Sequence, residues 1–309
     1  MNGTAPGLYP GISFEAYSSV AAVNFSHLKQ MARSALHYRY WLEHERDSKA
    51  FAMGRAAHAA ILEPDRFDRD FVVWDQLTDS GRLRPRIGKD FEAFVRANEG
   101  KTIIKPDEHR FAIAVRSAVR AKPVARKYLS DGLPEVSMMW SDVETGATCK
   151  GRVDWITRID DVDTIVGLKT AADLSPRTFS AQAARLMYYL QWSYYFDGYS
   201  TITGKAPRMV EIVVEGEPPH DVVAYVIPAE VIDLGREEYR ALLVKLAECE
   251  RSKRWPGRSD NEVLFELPAY LMRDEDEDVG DLELEGVGRA LEGEARARAL
   301  AALNEGLDP

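Results

Sequence analysis

Cys149-Lys150-Gly151-Arg152-Val153-Asp154 and, after an Asp-rich turn, Ile165-Val166-Gly167-Leu168-Lys169-Thr170 decide how this chain folds. Both stretches alternate or run apolar and β-branched, and with Glu135 to Trp140 before them they predict three consecutive antiparallel strands: Glu135 to Trp140, Ala147 to Ile159 and Thr164 to Thr170. Alternation puts Lys150, Arg152 and Asp154 on one face. A carboxylate flanked by two cations is either a surface ion-pair ladder or a metal ligand beside groups that hold phosphates, since hard divalent cations choose carboxylate oxygen and Arg suits phosphate. Lys169 sits in an apolar strand, where an unpaired ammonium is costly, so it needs a carboxylate neighbour. Asp154 on the adjacent strand can supply one.

Outward from this centre the periodicity is helical. Helices are predicted from Ser26 to about Glu45, capped by Asn24 or Ser26, from Ser48 to Leu62, stopped by Pro64, and from about Asp107 to Tyr128. Ser175-Pro176 opens another to about Tyr199, and Pro228 to about Ser252 forms the last long one. Met209 to Glu215 and Asp221 to Ile227 read as two further strands. The basic, Gly/Pro-punctuated segment with Arg82, Arg84, Arg86 and Lys89 predicts a mobile loop, either solvated by its own charges or a nucleic-acid contact.

The chain has 309 residues, 45% hydrophobic and 29% charged, which excludes a disordered or fibrous protein. Its net charge of −10 disfavours a polyanionic partner at first sight, but residues 274–309 hold 12 of the acids and only three arginines. The body is nearly neutral, free to gather positive charge in one cleft. Two cysteines, Cys149 and Cys249, exclude a four-Cys zinc or iron–sulfur site within one chain. No apolar run approaches the ~18 residues of a membrane span, and the N-terminus lacks signal-peptide character. A cytoplasmic protein with no membrane association is the expectation.

His58 lies on the predicted 48–62 helix with Gly54 one turn earlier and alanines around it. Small neighbours admit a ligand, although a satisfied core histidine reads the same way. Tyr188, Gln191, Tyr195 and Tyr199 recur at helical spacing, and Gln191 and Tyr195 carry polar groups that need partners if buried.

In chain order, Gly11-Ile12-Ser13, Met53-Gly54-Arg55-Ala56-Ala57-His58, Glu135, the 142–154 hairpin, Lys169-Thr170-Ala171-Ala172-Asp173, Gln191 to Tyr199 and Trp255-Pro256 resemble the PD-(D/E)XK nuclease superfamily. Within it, they are similar to the exonuclease VIII (RecE-like) and phage-type exodeoxyribonuclease branch. The resemblance implies an α/β (α+β) restriction-endonuclease-like fold, with a central mixed sheet flanked by helices and an αβββαβ core. It implies a single nuclease domain over residues 1–272, with a mainly helical part over 9–132 and the catalytic core over 133–256; by composition, residues 273–309 read as an acidic tail with a short helix candidate near Val287 to Leu303.

The same resemblance implies a Mg2+-dependent exodeoxyribonuclease, Mn2+ substituting, that degrades linear double-stranded DNA from 5′ ends in phage recombination. Its partners would be a single-strand annealing protein and further copies of itself in a ring. Carried over by position, His58 and Asp154 are metal ligands and Lys169 positions the attacking water. Glu135, Gln191 and Tyr195 border the site, while Lys150, Arg152 and the Arg82, Arg84, Arg86, Lys89 loop contact DNA.

One position departs: the motif's Asp or Glu two residues before the lysine is Gly167 here. The backbone of Leu168 is an available ligand in its place, and Glu135 or Asp173 could replace the acid. Greatly impaired cleavage with the DNA cleft retained is the expectation, and Gly167→Asp is expected to raise activity. The rival reading is a catalytically silent module that caps DNA ends or recruits an annealing protein; a third is a metal enzyme with another substrate on the same fold.

Overall fold

The computed structural model describes residues 5–44 and 49–266, the side chains of 49–52 excepted. The chain divides into two units, Met1–Asp260 and Asn261–Pro309, and the first is described below. The acidic run and the helix expected near Val287 to Leu303 lie outside the described residues.

In chain order come β1 (Gly7–Tyr9), α1 (Phe14–Ser19), β2 (Val23–Asn24), α2 (Phe25–Leu28), a 3-10 turn (Lys29–Ala32), α3 (Ala35–Glu43), α4 (Lys49–Leu62), α5 (Pro64–Asp70) and β3 (Phe71–Val73). Next are α6 (Lys89–Ala97), β4 (Thr102–Ile104), α7 (Pro106–Ala121), α8 (Pro123–Leu129), β5 (Leu133–Ser141), β6 (Thr148–Ile159) and β7 (Val162–Ala171). The chain continues through α9 (Pro176–Arg185), α10 (Tyr188–Thr203), β8 (Arg208–Glu215), β9 (Val222–Val226) and α11 (Ala229–Ser252).

Three predicted helices are each interrupted, for local reasons. Asn24 accepts the His27 N–H as an N-cap, but Ser34 takes the His37 N–H and starts a new helix within the stretch expected to run from Ser26 to Glu45. Pro123 lacks an N–H and holds Lys122 extended at ψ 118°, which separates α7 from α8. Met187 adopts a left-handed φ of 59°, turning the chain between α9 and α10.

The main sheet runs β1-β5-β6-β7-β8-β9, with β2 also pairing β6. β5, β6 and β7 are antiparallel as predicted, whereas β7 and β8 are parallel, joined by the α9–α10 crossover. Helices flank the sheet. Leu190 and Tyr194 of α10 and Leu243 of α11 share one core with Ile165 and Met209. Ala57, Val115, Val119 and Ala125 of α4, α7 and α8 share a second with Val166, Leu168, Val210 and Ile212. The arrangement is the expected mixed α/β one, a central sheet between helical layers.

β3 and β4 form a separate parallel pair. The segment between β3 and α6, expected to be mobile, is organised by hydrogen bonds: Thr78 and Arg82 pair around Gly81 (φ 75°), Leu77 bridges Leu83, and the Trp74 indole donates to the Arg84 carbonyl. No helix among the described residues is long and apolar enough to cross a membrane.

Candidate active site

β5 and β6 pair on either side of Glu135 and Asp154, through Pro134 with Trp155 and Val136 with Val153, so the two acids face each other across the strands. Glu135 has a φ of 50°, unusual for a non-glycine residue in a strand interior. Its carboxylate is oriented by the Arg152 guanidinium, whose Nε donates at 2.8 Å. On the other side of Asp154, the β6/β7 ladder ends at Trp155 with Val166. Beyond it, the Leu168 N–H donates to Asp154 Oδ2 at 2.7 Å, so the side chain replaces a backbone acceptor. His58 on α4 brings Nδ1 to 3.6 Å from Asp154 Oδ1. One ligand atom from each of His58, Glu135 and Asp154 lies within 4.8 Å of the others.

Lys169 stands beside this cluster, with Nζ 4.0 Å from Asp154 Oδ2 and 3.4 Å from Glu211 Oε1. Burial pushes its pKa down, but Glu211 and then Asp154 outweigh burial and hold it above the ordinary lysine value. Lys169 is therefore a fixed cation.

Glu211 arrives from β8 at the rung of Gly167 and is 1% exposed. Its Oε2 accepts the Trp192 Nε1–H at 2.5 Å, while Oε1 faces the Lys169 ammonium. A Cβ built on Gly167 would stand 2.5 Å from both Glu211 oxygens. Burial raises the pKa of the Glu211 carboxyl, against the pull of Lys169. Glu135 is likewise raised, by burial first and by Asp154 second.

The structure brings together His58, Glu135, Asp154, Gly167 and Lys169, and sets Gln191 and Tyr195 at their border. Gln191 Nε2 donates to Tyr195 Oη at 3.3 Å, and the Tyr195 ring covers Gly151, where a Cβ would lie 2.9 Å away. Burial and then Asp154 raise the Tyr195 phenol, which stays neutral. The Leu168 N–H is taken by Asp154, and its carbonyl, the atom that could serve as a ligand, lies 3.4 Å from Lys169 Nζ.

Other expected residues lie elsewhere or are otherwise engaged. Lys150 is 4% exposed, and its ammonium donates to the carbonyls of Tyr17, Ser18 and Val20. Arg152 bonds Glu135, Ser137 and the Ile12 carbonyl. Both cations tie the N-terminal segment to the sheet, and alternation alone could not distinguish that from a phosphate contact. Asp173, considered as a replacement acid, is exposed and accepts the Ser175 N–H at 2.7 Å at the start of α9. Arg84 pairs with Asp90, and Arg86 NH2 lies 3.6 Å from Glu108. Arg82 and Lys89 are exposed.

Two residues escaped the sequence reading. Glu211 carried the same signal as Lys169, a charge inside the apolar run Met209 to Val214. Lys29, on the 3-10 turn, is half-buried, and its pKa is lowered by burial and then by the Lys169 charge.

The donor set of two carboxylates and an imidazole suits a hard divalent cation such as Mg2+ or Mn2+. The residues present therefore fit such an ion.

Residues 24–266 match the family described as a PDDEXK-like domain of unknown function (DUF3799). Among solved structures, one named "Putative exonuclease" from Eubacterium rectale superposes with a TM-score of 0.57 at 15% identity, covering 84% of this chain and 97% of that one. At this identity the likeness concerns the fold. Further matches are SSO0001, with a TM-score of 0.28, 14% identity and coverage of 62% and 85%, and VC1899 from Vibrio cholerae, with 0.20, 16%, 74% and 57%. No curated protein matches the chain.

Proposed function

Because this chain belongs to the family of PDDEXK-like domains of unknown function (DUF3799), we propose that it is a metal-dependent exodeoxyribonuclease of the exonuclease VIII type. It acts on the ends of linear duplex DNA, 5′ to 3′, in phage recombination. The observation that carries this reading is the meeting of His58, Glu135 and Asp154 within 4.8 Å, with the Lys169 ammonium 4.0 Å from Asp154. An ordinary surface ion-pair ladder needs no such convergence from α4, β5, β6 and β7.

His58, Glu135 and Asp154 would hold Mg2+, with Mn2+ substituting. Such an ion supplies Lewis-acid polarisation of the phosphate and makes water a stronger nucleophile at neutral pH. The chain's own residues do the rest. Leu168 N–H and Arg152 fix the Asp154 and Glu135 carboxylates, so little reorganisation is needed when a charged substrate arrives. Lys169, held protonated by Glu211 and Asp154, orients the attacking water and offsets negative charge growing on the phosphoryl oxygens. Rings of several copies and an annealing partner belong to this reading as proposals.

Linear duplex labelled at its 5′ or 3′ end and incubated with Mg2+ or Mn2+, beside Lys169→Ala, tests it. Mononucleotide release from the 5′ end that disappears with chelator and in the variant is expected. Gel retardation without release would overturn the reading in favour of a silent DNA-end-binding module.

A further inference from the structure

Gly167 and Glu211 are partners across the parallel β7/β8 ladder. A glycine inside a strand of ten residues weakens that strand locally. Here it has a spatial reason: the room its missing side chain leaves is filled by the Glu211 carboxylate, 2.5 Å from where Cβ would be. That carboxylate is 1% exposed and held from two sides: Oε2 accepts from the Trp192 indole and Oε1 faces the Lys169 ammonium at 3.4 Å. Packing is a poor explanation for such an acid, because a buried ion pair generally stabilises a fold no better than apolar residues of the same volume. What a buried, immobilised carboxylate that shares Lys169 with Asp154 and fills the space of the side chain missing at Gly167 does suit is a cation.

We infer that Glu211 is a metal ligand of the Asp154 site, delivered from β8 through the gap left by Gly167. The inference rests on the metal-dependent reading above, and it changes two expectations. A second strand acid is present after all, so the glycine does not by itself imply impaired cleavage. Gly167→Asp alone, expected from sequence to raise activity, instead forces two carboxyl groups into one space and lowers metal affinity.

Mn2+ titration of the full chain, read by paramagnetic resonance and independent of catalysis, tests this. Wild type, Glu211→Gln, Gly167→Asp, Gly167→Asp with Glu211→Val, and Asp154→Asn are compared, each first shown folded by circular dichroism. Glu211→Gln is expected to weaken Mn2+ binding by roughly 100-fold or more, above the ~10- to 100-fold that losing an outer partner of a ligand costs. The double variant, which returns the acid to β7 and clears the space, is expected to bind better than either Glu211→Gln or Gly167→Asp. Wild-type affinity in Glu211→Gln together with its loss in Asp154→Asn would overturn the role of Glu211 while leaving the metal site standing. Absence of Mn2+ binding by wild type would overturn the metal-dependent reading itself.

Discussion

Asp154 Oδ2 accepts the Leu168 N–H at 2.7 Å where β6 and β7 stop pairing. One side chain thus completes the sheet's hydrogen bonding and presents its other oxygen toward His58. These roles separate on mutation. Asp154→Asn keeps an acceptor for Leu168 and should preserve the fold while abolishing metal binding and cleavage. Asp154→Ala should in addition cost about 1–3 kcal/mol, because the Leu168 N–H loses its partner. Urea denaturation of both variants checks the difference.

Lys169→Met should leave Glu211 buried without its cation. A loss of about 3–5 kcal/mol is expected at neutral pH. The Glu211 carboxyl already binds its proton more readily than an ordinary Glu, and more so without Lys169. The loss should therefore shrink as pH falls and Glu211 becomes neutral. Unfolding curves at about pH 8 and about pH 5 should show the larger deficit at the higher pH; equal deficits would contradict the pairing.

Glu135 and Glu211 both have raised pKa values, for which burial is the first cause. A carboxyl whose folded pKa is raised stabilises the fold below its unfolded value, and that contribution is lost as pH rises through the raised value. With respect to these groups, the metal-free protein should be less heat-stable at about pH 8 than at about pH 5, and Mn2+ should reverse the deficit at the higher pH. Metal binding should release protons, measurable by calorimetry in buffers of different ionisation enthalpy.

Lys150→Met should destabilise the protein by at least about 2 kcal/mol, because three carbonyls of the N-terminal segment lose a charged donor. DNA affinity of the folded fraction should be unchanged, in contrast to Arg82→Met with Lys89→Met, exposed cations expected to contact DNA, which should weaken it in a salt-dependent way. Thermal melts and gel retardation at two salt concentrations separate the cases.

Gly235→Ala should cost about 1–3 kcal/mol. The glycine lets α11 approach α10 so closely that a Cβ would collide with the Tyr189 carbonyl and Ser193 Oγ. Cleavage per folded molecule should persist, since neither neighbour reaches the acids.

The three central strands were legible because Asp and Gly turns punctuate alternating runs, and Asp154 and Lys169 because charges in such runs require partners. His58 became a candidate from its small neighbours, and only α4 packing beside β6 places it by Asp154. The charge of Glu211 in an apolar run was as visible as that of Lys169, but its place in the site was not. Its pairing with Gly167 depends on the register of a parallel ladder, formed by strands some forty residues apart through two helices. Lys150 shows the converse: its alternation matches that of Arg152 and Asp154, but its partners lie more than a hundred residues upstream.

Those partners also impose a timetable on synthesis. Lys150 follows the Tyr17 carbonyl it binds by 133 residues, a delay on the order of ten seconds at typical translation rates. Until then β1 and β2 have no sheet to join, and their exposed backbone is open to chaperones or to a neighbouring nascent chain. Newly made protein should pass through a protease-sensitive interval that ends only when β6 has left the ribosome.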